Sequence, residues 1–328
     1  IMWENGGVVK SEEKHAKTAP ECVVKERQMT VDKNKVGLVG IGDMGSGLAK
    51  NLLKAGFDVY GLDLDPDRMK AFTAMGGTAA PDLGEVAANA RAVFVMVMTG
   101  HQAKQVIFNK NGLADHLPSG SVIILTATIK PAEAAEIYDS LSERGLSLID
   151  SPVSGGFPGA QSGSLTMMAA GSDTDMKNCS DIMQAVSKTI HHVGEAAPKG
   201  QMVKACLQSL IGSVFSATFE ASVLAAKAGI SGQTLFDVFS TSGAGCGVAN
   251  TALENIIDRQ FEGTGSHIAT MHKDLTISSS FAEELGVPMH TAATAMQLFH
   301  AGKTKYPNGD NWVVTRVLED IVSAELHR

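Results

Sequence analysis

Up to residue 195 the chain alternates short apolar runs with longer amphipathic segments. Short runs rich in β-branched residues are typical of buried parallel strands, whereas apolar positions with helical spacing predict helices. The predicted strands are Lys35–Ile41, Asp58–Leu64, Arg91–Met98, Ser121–Ala127, Leu146–Ile149, Ser164–Ala170 and Thr189–Val193. The predicted helices are Ser46–Gly56, His101–Phe108, Pro131–Arg144 and Asp173–Ser187. This alternation predicts an α/β fold with a doubly wound, mostly parallel sheet.

Beyond this region only helical patterns occur. The predicted helices are Gly200–Gly229, Ser231–Ser240, Val248–Asp258, a segment through Lys273–Leu285, Pro288–Ala301 and Asn311–Leu326. We therefore expect a second, all-α C-terminal domain that is opened by a long inter-domain helix. The expected limits are a disordered N-terminal extension at 1–33, the α/β domain at 34–195 and the helical domain at 196–328.

The long helix Gly200–Gly229 carries few charges, since Glu220 is the one charged residue between Lys204 and Lys227. Its serine, threonine and glutamine residues suit a helix buried in protein better than a helix in lipid. A helix of about 45 Å with so few charges is too apolar for one small helical domain to cover. We expect a homodimer or homotetramer that buries part of it, and no membrane partner.

A glycine-rich turn joins the first predicted strand to the first predicted helix. Its residues are Gly40, Ile41, Gly42, Asp43, Met44 and Gly45, a GxGxxG motif in the order strand, turn, helix. Glycines permit the tight turn and let backbone N–H groups at the helix N-terminus approach a pyrophosphate. The motif in this context predicts a Rossmann-type dinucleotide-binding domain.

The end of the second predicted strand indicates which dinucleotide is bound. Asp63 follows the glycines at the spacing expected of a carboxylate that binds the adenosine ribose hydroxyls, and it would repel a 2′-phosphate. Leu64 comes next, where an arginine could have held such a phosphate, although Arg68 is close by. We predict NAD as the cofactor, with NADP as the alternative.

Further candidate residues follow other strands, because ligands of such sheets bind at the carboxyl ends of the strands. Thr99 and Thr128 are candidate contacts on the nicotinamide side, although threonine is common in turns for structural reasons. Ser154, Gly155 and Gly156 offer a hydroxyl and exposed backbone N–H groups, which suit a substrate carboxylate. The alternative for these three is a plain Ser-Gly turn.

Lys204 lies at the start of the long helix, and Gln208 follows on the same helical face. Desolvation lowers the pKa of a buried lysine towards neutrality, which would suit proton transfer. The alternative is a lysine whose ammonium extends from the helix end into solvent. The pattern alone leaves both open.

Composition excludes several classes of function. The net charge of −8 argues against a nucleic-acid partner, because phosphate binding needs a basic surface. Cys22, Cys179, Cys206 and Cys246 lie far apart, which indicates reduced thiols in a cytoplasmic compartment. The histidines have no metal-ligand spacing, and we predict no metal site. Residues 1–28 resemble neither a secretory signal nor a transit peptide.

The combination of a dinucleotide domain, the segment DSPVSGG and a GxxxK helix resembles the β-hydroxyacid dehydrogenase family over residues 34–325. The family's glycine loop matches Gly40, Gly42 and Gly45, its substrate segment matches Ser154–Gly156, and its catalytic lysine matches Lys204. Its Thr motif matches Thr126–Thr128, and its Lys-Asp pair matches Lys273 and Asp274. The family has asparagine where this chain has Gln208, which is preceded by Leu207. The Leu207–Gln208 pair and the segment HKDL at 272–275 are most similar to the L-threonate dehydrogenase branch.

The resemblance implies an NAD-dependent oxidoreductase for a small hydroxy acid, such as L-threonate or a 3-hydroxyisobutyrate-like acid. Lys204 would be the general acid/base, with Ser154, Gly155, Gly156, Gln208 and Thr128 binding substrate and Lys273 lining the cofactor cleft. Alternatives are a glyoxylate/succinic semialdehyde or tartronate semialdehyde reductase. Imine reduction, in families without the lysine, and a non-catalytic NAD-binding module used for assembly are less favoured.

Overall fold

In the computed structural model, residues 32–88 and 90–328 are described, and the expected extension at 1–33 lies outside them except for its last two residues. The strands form one sheet in the order β3-β2-β1-β4-β5-β6-β8-β7, with β9 beside β8. Their bounds are β1 (Lys35–Val39), β2 (Asp58–Leu62), β3 (Thr78–Ala79), β4 (Ala92–Val95), β5 (Val122–Leu125), β6 (Ser147–Asp150), β7 (Val153–Ser154), β8 (Leu165–Ala170) and β9 (Ser187–Gly194).

Pairing in the sheet is mostly parallel, as predicted. The pairs from β3 through β6 and the pair β8–β9 are parallel, whereas β8 runs antiparallel to both β6 and β7. The central strands β4 and β5 are buried along their whole length, which explains their continuous apolar runs.

Helices cover both faces of this sheet and then form a separate helical region. The helices around the sheet are α1 (Asp43–Lys54), α2 (Pro66–Ala74), α3 (Leu83–Ala88), α4 (Gly100–Phe108), α5 (Leu113–His116), α6 (Pro131–Ser142), α7 (Gly156–Ser162), α8 (Asp173–Asn178) and α9 (Ser180–Val186). The helical region contains α10 (Lys199–Lys227), α11 (Gly232–Thr241), α12 (Gly247–Ile257), α13 (Ile268–Glu284), α14 (His290–Lys305), a 3₁₀ turn (Asn311–Val313) and α15 (Val314–Val322). The predicted fold class is confirmed.

Some predicted elements differ from the structure. The helix predicted over Asp173–Ser187 is two helices that meet at Cys179. The second strand ends at Leu62, so Asp63 lies just after it. The long helix begins at Lys199, one residue before its predicted start, and α13 begins at Ile268, before the predicted Lys273.

Three apolar cores support these elements. Two of them lie against the sheet, one around Leu48 and Phe94 and the other around Ile123 and Ile137. The third lies in the helical region, where α10 contributes Phe215 and Phe219, whose rings stack with centroids 5.9 Å apart.

Helix α10 is the central helix of the helical region. Within the described part of the chain it alone is long and apolar enough to cross a membrane, judged by length and composition. However, it packs on α12, α13, α14 and α15, and it buries Gln201, Lys204 and Gln208. Polar side chains on the buried face indicate the core helix of a folded domain.

Candidate active site

The glycine loop between β1 and α1 has two glycines that the protein's own backbone requires. Gly40 has φ +89°, and a Cβ built there would lie 2.3 Å from the backbone oxygen of Met96. A Cβ on Gly45 would lie 2.0 Å from the oxygen of Gly40. On Gly42, by contrast, a Cβ would meet only the guanidinium tip of Arg68, at 3.4 Å. The open side of the loop at the α1 N-terminus therefore has room for a phosphate group.

Asp63 lies beside this loop, as its spacing predicted. Its Oδ2 accepts a hydrogen bond of 2.6 Å from the N–H of Ile41, and its Oδ1 accepts one of 2.9 Å from the N–H of Asp65. The Arg68 Nη1 atom lies 3.8 Å from Oδ2. A carboxylate has further lone pairs that can accept from ribose hydroxyls, and Arg68 adds a positive charge at the same place. These residues fit a dinucleotide.

Thr99 and Thr128 differ in what they contact. The Thr99 hydroxyl caps α4 by accepting from the N–H of Gln102 at 3.2 Å, which is a structural use. The Thr128 carbonyl oxygen accepts a bond of 2.8 Å from Lys273 Nζ, which also lies 3.3 Å from the Met98 oxygen. Lys273 thus joins α13 to the carboxyl ends of β4 and β5.

Lys204 lies in the second turn of α10 with only 5% of its surface exposed. Its Nζ donates a 2.8 Å hydrogen bond to the carbonyl oxygen of Val153, the residue before Ser154. Burial lowers the pKa of Lys204 to about 8, the Asp274 carboxylate opposes this shift, and the Lys273 charge adds to it. A lysine that extends into solvent would be exposed, so the buried position excludes that alternative.

Gln208 is held by a second buried group. Its Nε2 donates to Asp274 Oδ2 at 2.6 Å and lies 3.8 Å from the sulfur of Met271. The other oxygen of Asp274 is 3.1 Å from Lys273 Nζ. Because the amide nitrogen is engaged, the Gln208 carbonyl oxygen is the atom left to accept from a ligand hydroxyl.

Ser154, Gly155 and Gly156 form the turn between β7 and α7. Gly155 has φ +127° and Gly156 has φ +58°, conformations that favour glycine at both positions. Among the described residues, no group hydrogen-bonds to the Ser154 hydroxyl, which leaves it available to a ligand. The structure places this turn directly after the carbonyl group that holds Lys204.

Two residues that sequence reasoning missed fix the start of α10. Gln201 Nε2 donates to Asp150 Oδ1 at 2.8 Å and to the Ala127 oxygen at 3.0 Å, and its Oε1 accepts from the N–H of Ile129. Asp150 is fully buried, and burial raises the pKa of this carboxyl to about 6, although hydrogen bonds from Gln201 lower it. A charged residue at the end of a buried strand was the signal that could have identified this pair.

Comparison with known proteins adds an independent finding. Residues 35–194 match the family model for the NAD binding domain of 6-phosphogluconate dehydrogenase. Residues 198–318 match the model for the NAD-binding domain of NADP-dependent 3-hydroxyisobutyrate dehydrogenase. An L-threonate dehydrogenase from Escherichia coli (strain K12) is 31% identical over 288 residues, 87% of this chain and 95% of the relative. The chain belongs to the β-hydroxyacid dehydrogenase family.

Other members of the β-hydroxyacid dehydrogenase family agree with this assignment. A 2-(hydroxymethyl)glutarate dehydrogenase from Eubacterium barkeri is 30% identical, over 82% of this chain and 89% of the relative. The crystal structure of a 3-hydroxyisobutyrate dehydrogenase from Salmonella typhimurium superposes with a TM-score of 0.79 at 30% identity, covering 86% of this chain and 99% of the other. The chain is therefore an NAD-binding oxidoreductase that acts on CH–OH groups of a small hydroxy-acid substrate.

Proposed function

We propose that Lys204 is the general acid/base of this dehydrogenase and that the reaction takes place beside the β7–α7 turn. The observation that carries the proposal is the buried Lys204 amine, 2.8 Å from the carbonyl oxygen that precedes Ser154. A general base works best when its pKa lies near the operating pH. With a pKa of about 8, a substantial fraction of the amine is neutral near that pH.

The surrounding residues can hold a hydroxy acid next to this amine. The Ser154 hydroxyl and the N–H groups of Gly155 and Gly156 would bind the substrate carboxylate, since backbone N–H groups in such turns favour anions. The Gln208 carbonyl oxygen would accept from the reacting hydroxyl, and Lys204 Nζ would then take its proton. The dinucleotide, when bound, supplies the hydride acceptor. The turn from Gly40 to Gly45, including Asp43, would hold its diphosphate: Gly40 and Ile41 shape the turn through their bonds to Leu62 and Asp63, and the N–H groups at the start of α1 would donate to the phosphates.

The substrate we propose is a small sugar acid such as L-threonate, or a 3-hydroxyisobutyrate-like acid. The E. coli relative named for L-threonate supports the first, and the structural relative named for 3-hydroxyisobutyrate supports the second. The alternative is reduction of glyoxylate, succinic semialdehyde or tartronate semialdehyde by the same site. NAD is the proposed cofactor because of Asp63, and Arg68 keeps NADP as the alternative.

A substrate panel tests this proposal. The purified protein is assayed with NAD⁺ and separately with NADP⁺ against L-threonate, D-threonate, 3-hydroxyisobutyrate, D-glycerate and 3-hydroxypropionate, with tartronate semialdehyde in the reverse direction. We expect the highest kcat/KM with NAD⁺ and L-threonate. Turnover of none of these acids with either cofactor would contradict the proposed function.

We also propose a homodimer or homotetramer that covers one face of α10. Val203, Leu210 and Leu224 lie on this face and are 40%, 62% and 72% exposed, with Ala217 and Cys206 exposed between them. We expect light scattering to give the molar mass of a dimer or tetramer at micromolar concentration. The substitution Leu210→Glu should shift the molar mass towards that of a monomer. Leu285→Glu, at an exposed leucine outside this face, is the control; a monomeric native protein would contradict the proposal.

The domain limits are a further part of the proposal. We place the boundary between the end of β9 at Gly194 and the start of α10 at Lys199, giving domains at 34–195 and 196–328. The two family models, which match 35–194 and 198–318, support this division. The cytoplasmic location stays a prediction, and fractionation of the source cells would test it.

A further inference from the structure

A histidine from the helical region contacts the glycine loop of the dinucleotide domain. His267 immediately precedes α13, and its Nε2 lies 2.9 Å from Oδ2 of Asp43. Asp43 is the first residue of α1 and directly follows Gly42, the glycine whose missing side chain leaves room for a ligand. The contact therefore crosses from one domain to the other at the proposed diphosphate position.

The imidazole is also held from its other side. Its Nδ1 lies 3.7 Å from Oδ1 of Asp310, a fully buried carboxylate whose Oδ1 has no hydrogen-bond partner within the described part of the chain. The other oxygen, Oδ2, accepts from the N–H and the hydroxyl of Thr264, both at 2.7 Å. Because a carboxylate oxygen can only accept, His267 Nε2 is the donor in the contact with Asp43. The two carboxylates on opposite sides of the imidazole fix the direction of its ring.

The loop before α13 packs on the dinucleotide domain at a second point. Gly265 has φ +75°, and a Cβ built there would lie 2.6 Å from the Cβ of Phe157 in α7. Such a close approach needs glycine, because a larger residue would push the loop away. The loop from Gly263 to His267 is thus seated against the dinucleotide domain at both Phe157 and Asp43.

The charge of Asp43 explains why this contact matters for a ligand. A carboxylate in the first turn of α1 interacts favourably with the helix dipole. It also repels a diphosphate that approaches the same N–H groups, since both are negative. His267 offsets this repulsion, and about half of each side chain remains exposed, so a bound anion can reach the pair.

We propose that His267, a residue of the helical domain, is a cofactor-binding residue. It lies against the glycine loop and compensates the negative charge of Asp43 beside the dinucleotide diphosphate. The inference rests on the dinucleotide binding of the proposed function. It means that NAD affinity depends on a residue outside the domain that carries the glycine motif.

Dissociation constants for NAD⁺ and ADP-ribose, measured by calorimetry on the full chain, test the proposal. His267→Gln keeps a polar side chain of similar size without the imidazole ring that lies between the two carboxylates, and we expect it to weaken both ligands by about three- to tenfold. In the Asp43→Asn background the same substitution should change either constant by less than about twofold, because the repulsion is already gone. Added NaCl should also reduce the difference in affinity between the native protein and His267→Gln, because salt screens the repulsion by Asp43.

Three outcomes distinguish a failure of the His267 proposal from a failure of the proposed function. Unchanged affinity in His267→Gln, or an equal loss in the Asp43→Asn background, would overturn the role of His267. A fall in melting temperature with unchanged affinity would assign it to packing alone and overturn the proposal as well. If the native protein binds neither NAD⁺ nor ADP-ribose, the proposed function fails instead, and that result is distinct from the first two.

Discussion

The glycine loop and the lysine site lie on the same chain but are assembled in different ways. The loop is contiguous from Gly40 to Gly45, and its conformation is set by the backbone, as the close approach of Gly45 to the Gly40 oxygen illustrates. The lysine site combines β7, α10 and α13, and its properties come from burial. An amine with ordinary basicity in solvent has a pKa of about 8 because the fold removes water from it. A motif can reveal the first kind of site, whereas the second depends on packing.

The largest expected effect is at Lys204. Lys204→Ala should lower kcat by about 10²- to 10⁴-fold, the usual contribution of a general acid/base. The Kd for NAD⁺ should stay within about twofold of the native value, because no glycine-loop residue contacts this amine. Steady-state kinetics and calorimetry measure the two quantities. Lys227→Ala, on the same helix but exposed, is the control, and near-normal turnover of Lys204→Ala would refute the role of the lysine.

The pH dependence of activity and of stability provides a second test of Lys204. Lys204 must be neutral to accept a proton, so kcat/KM for oxidation should fall about tenfold per pH unit below a pKa of about 8. Reduction needs the charged amine and should fall above that pH. The folded pKa lies below the usual 10.5, so the unfolded chain binds more protons between pH 8 and 10.5. The free energy of unfolding, relative to Lys204→Met, should therefore rise with pH in that window. A flat activity profile from pH 6 to 9 would contradict the assignment.

Two glycines of the loop provide an internal comparison. Gly42→Ala places a methyl group against the movable tip of Arg68, so stability should change by less than about 0.5 kcal/mol. The same methyl group occupies the space left for a ligand, and the Kd for NAD⁺ should rise roughly tenfold. Gly45→Ala meets backbone and should cost about 1–3 kcal/mol of stability. Thermal unfolding and NAD⁺ titration distinguish the two variants. A native Kd for NAD⁺ in Gly42→Ala would show that Gly42 does not line the binding site.

A smaller effect is expected at Gln201. Gln201→Ala leaves the buried N–H of Ile129 and the Oδ1 atom of Asp150 without their side-chain partner, while the backbone N–H of residue 201 still donates to Asp150 Oδ2; the loss should cost about 1–3 kcal/mol. Because α10 then keeps only a backbone hydrogen bond to Asp150 of β6, we expect Lys204 to shift and kcat to fall roughly tenfold, with a smaller change in the KM for NAD⁺. Gln184→Ala, at an exposed glutamine of α9, is the control. Loss of stability with unchanged kcat would show that Gln201 does not position the lysine.

Local patterns were sufficient where one physical rule dominated. The apolar runs predicted the central strands because strands covered on both faces must be apolar throughout. The glycine ends predicted the long helix to within about two residues, which is the usual uncertainty of helix ends. Helix α2 was missed although Asp65 and Pro66 mark its start, with Asp65 accepting from the N–H groups of Asp67 and Arg68.

Other features could not be read from the chain alone. The break at Cys179 divides a helix that the periodicity predicted as continuous. The bond from Gln208 to Asp274 joins residues far apart in sequence, and so does the contact of His267 with Asp43. Their spacing carries no periodic signal, because each pair meets only after α10 and α13 have packed on each other and on the sheet.

The sequence by itself determined the fold class, the place of the glycine loop and the family resemblance, since these depend on local backbone geometry and on apolar periodicity. Only the tertiary structure decided the chemical state of the site. It buried Lys204 against the Val153 oxygen, engaged the amide nitrogen of Gln208 with Asp274, and set His267 between Asp43 and Asp310. The physical reason is that pKa values and hydrogen-bond partners depend on which groups exclude water from one another.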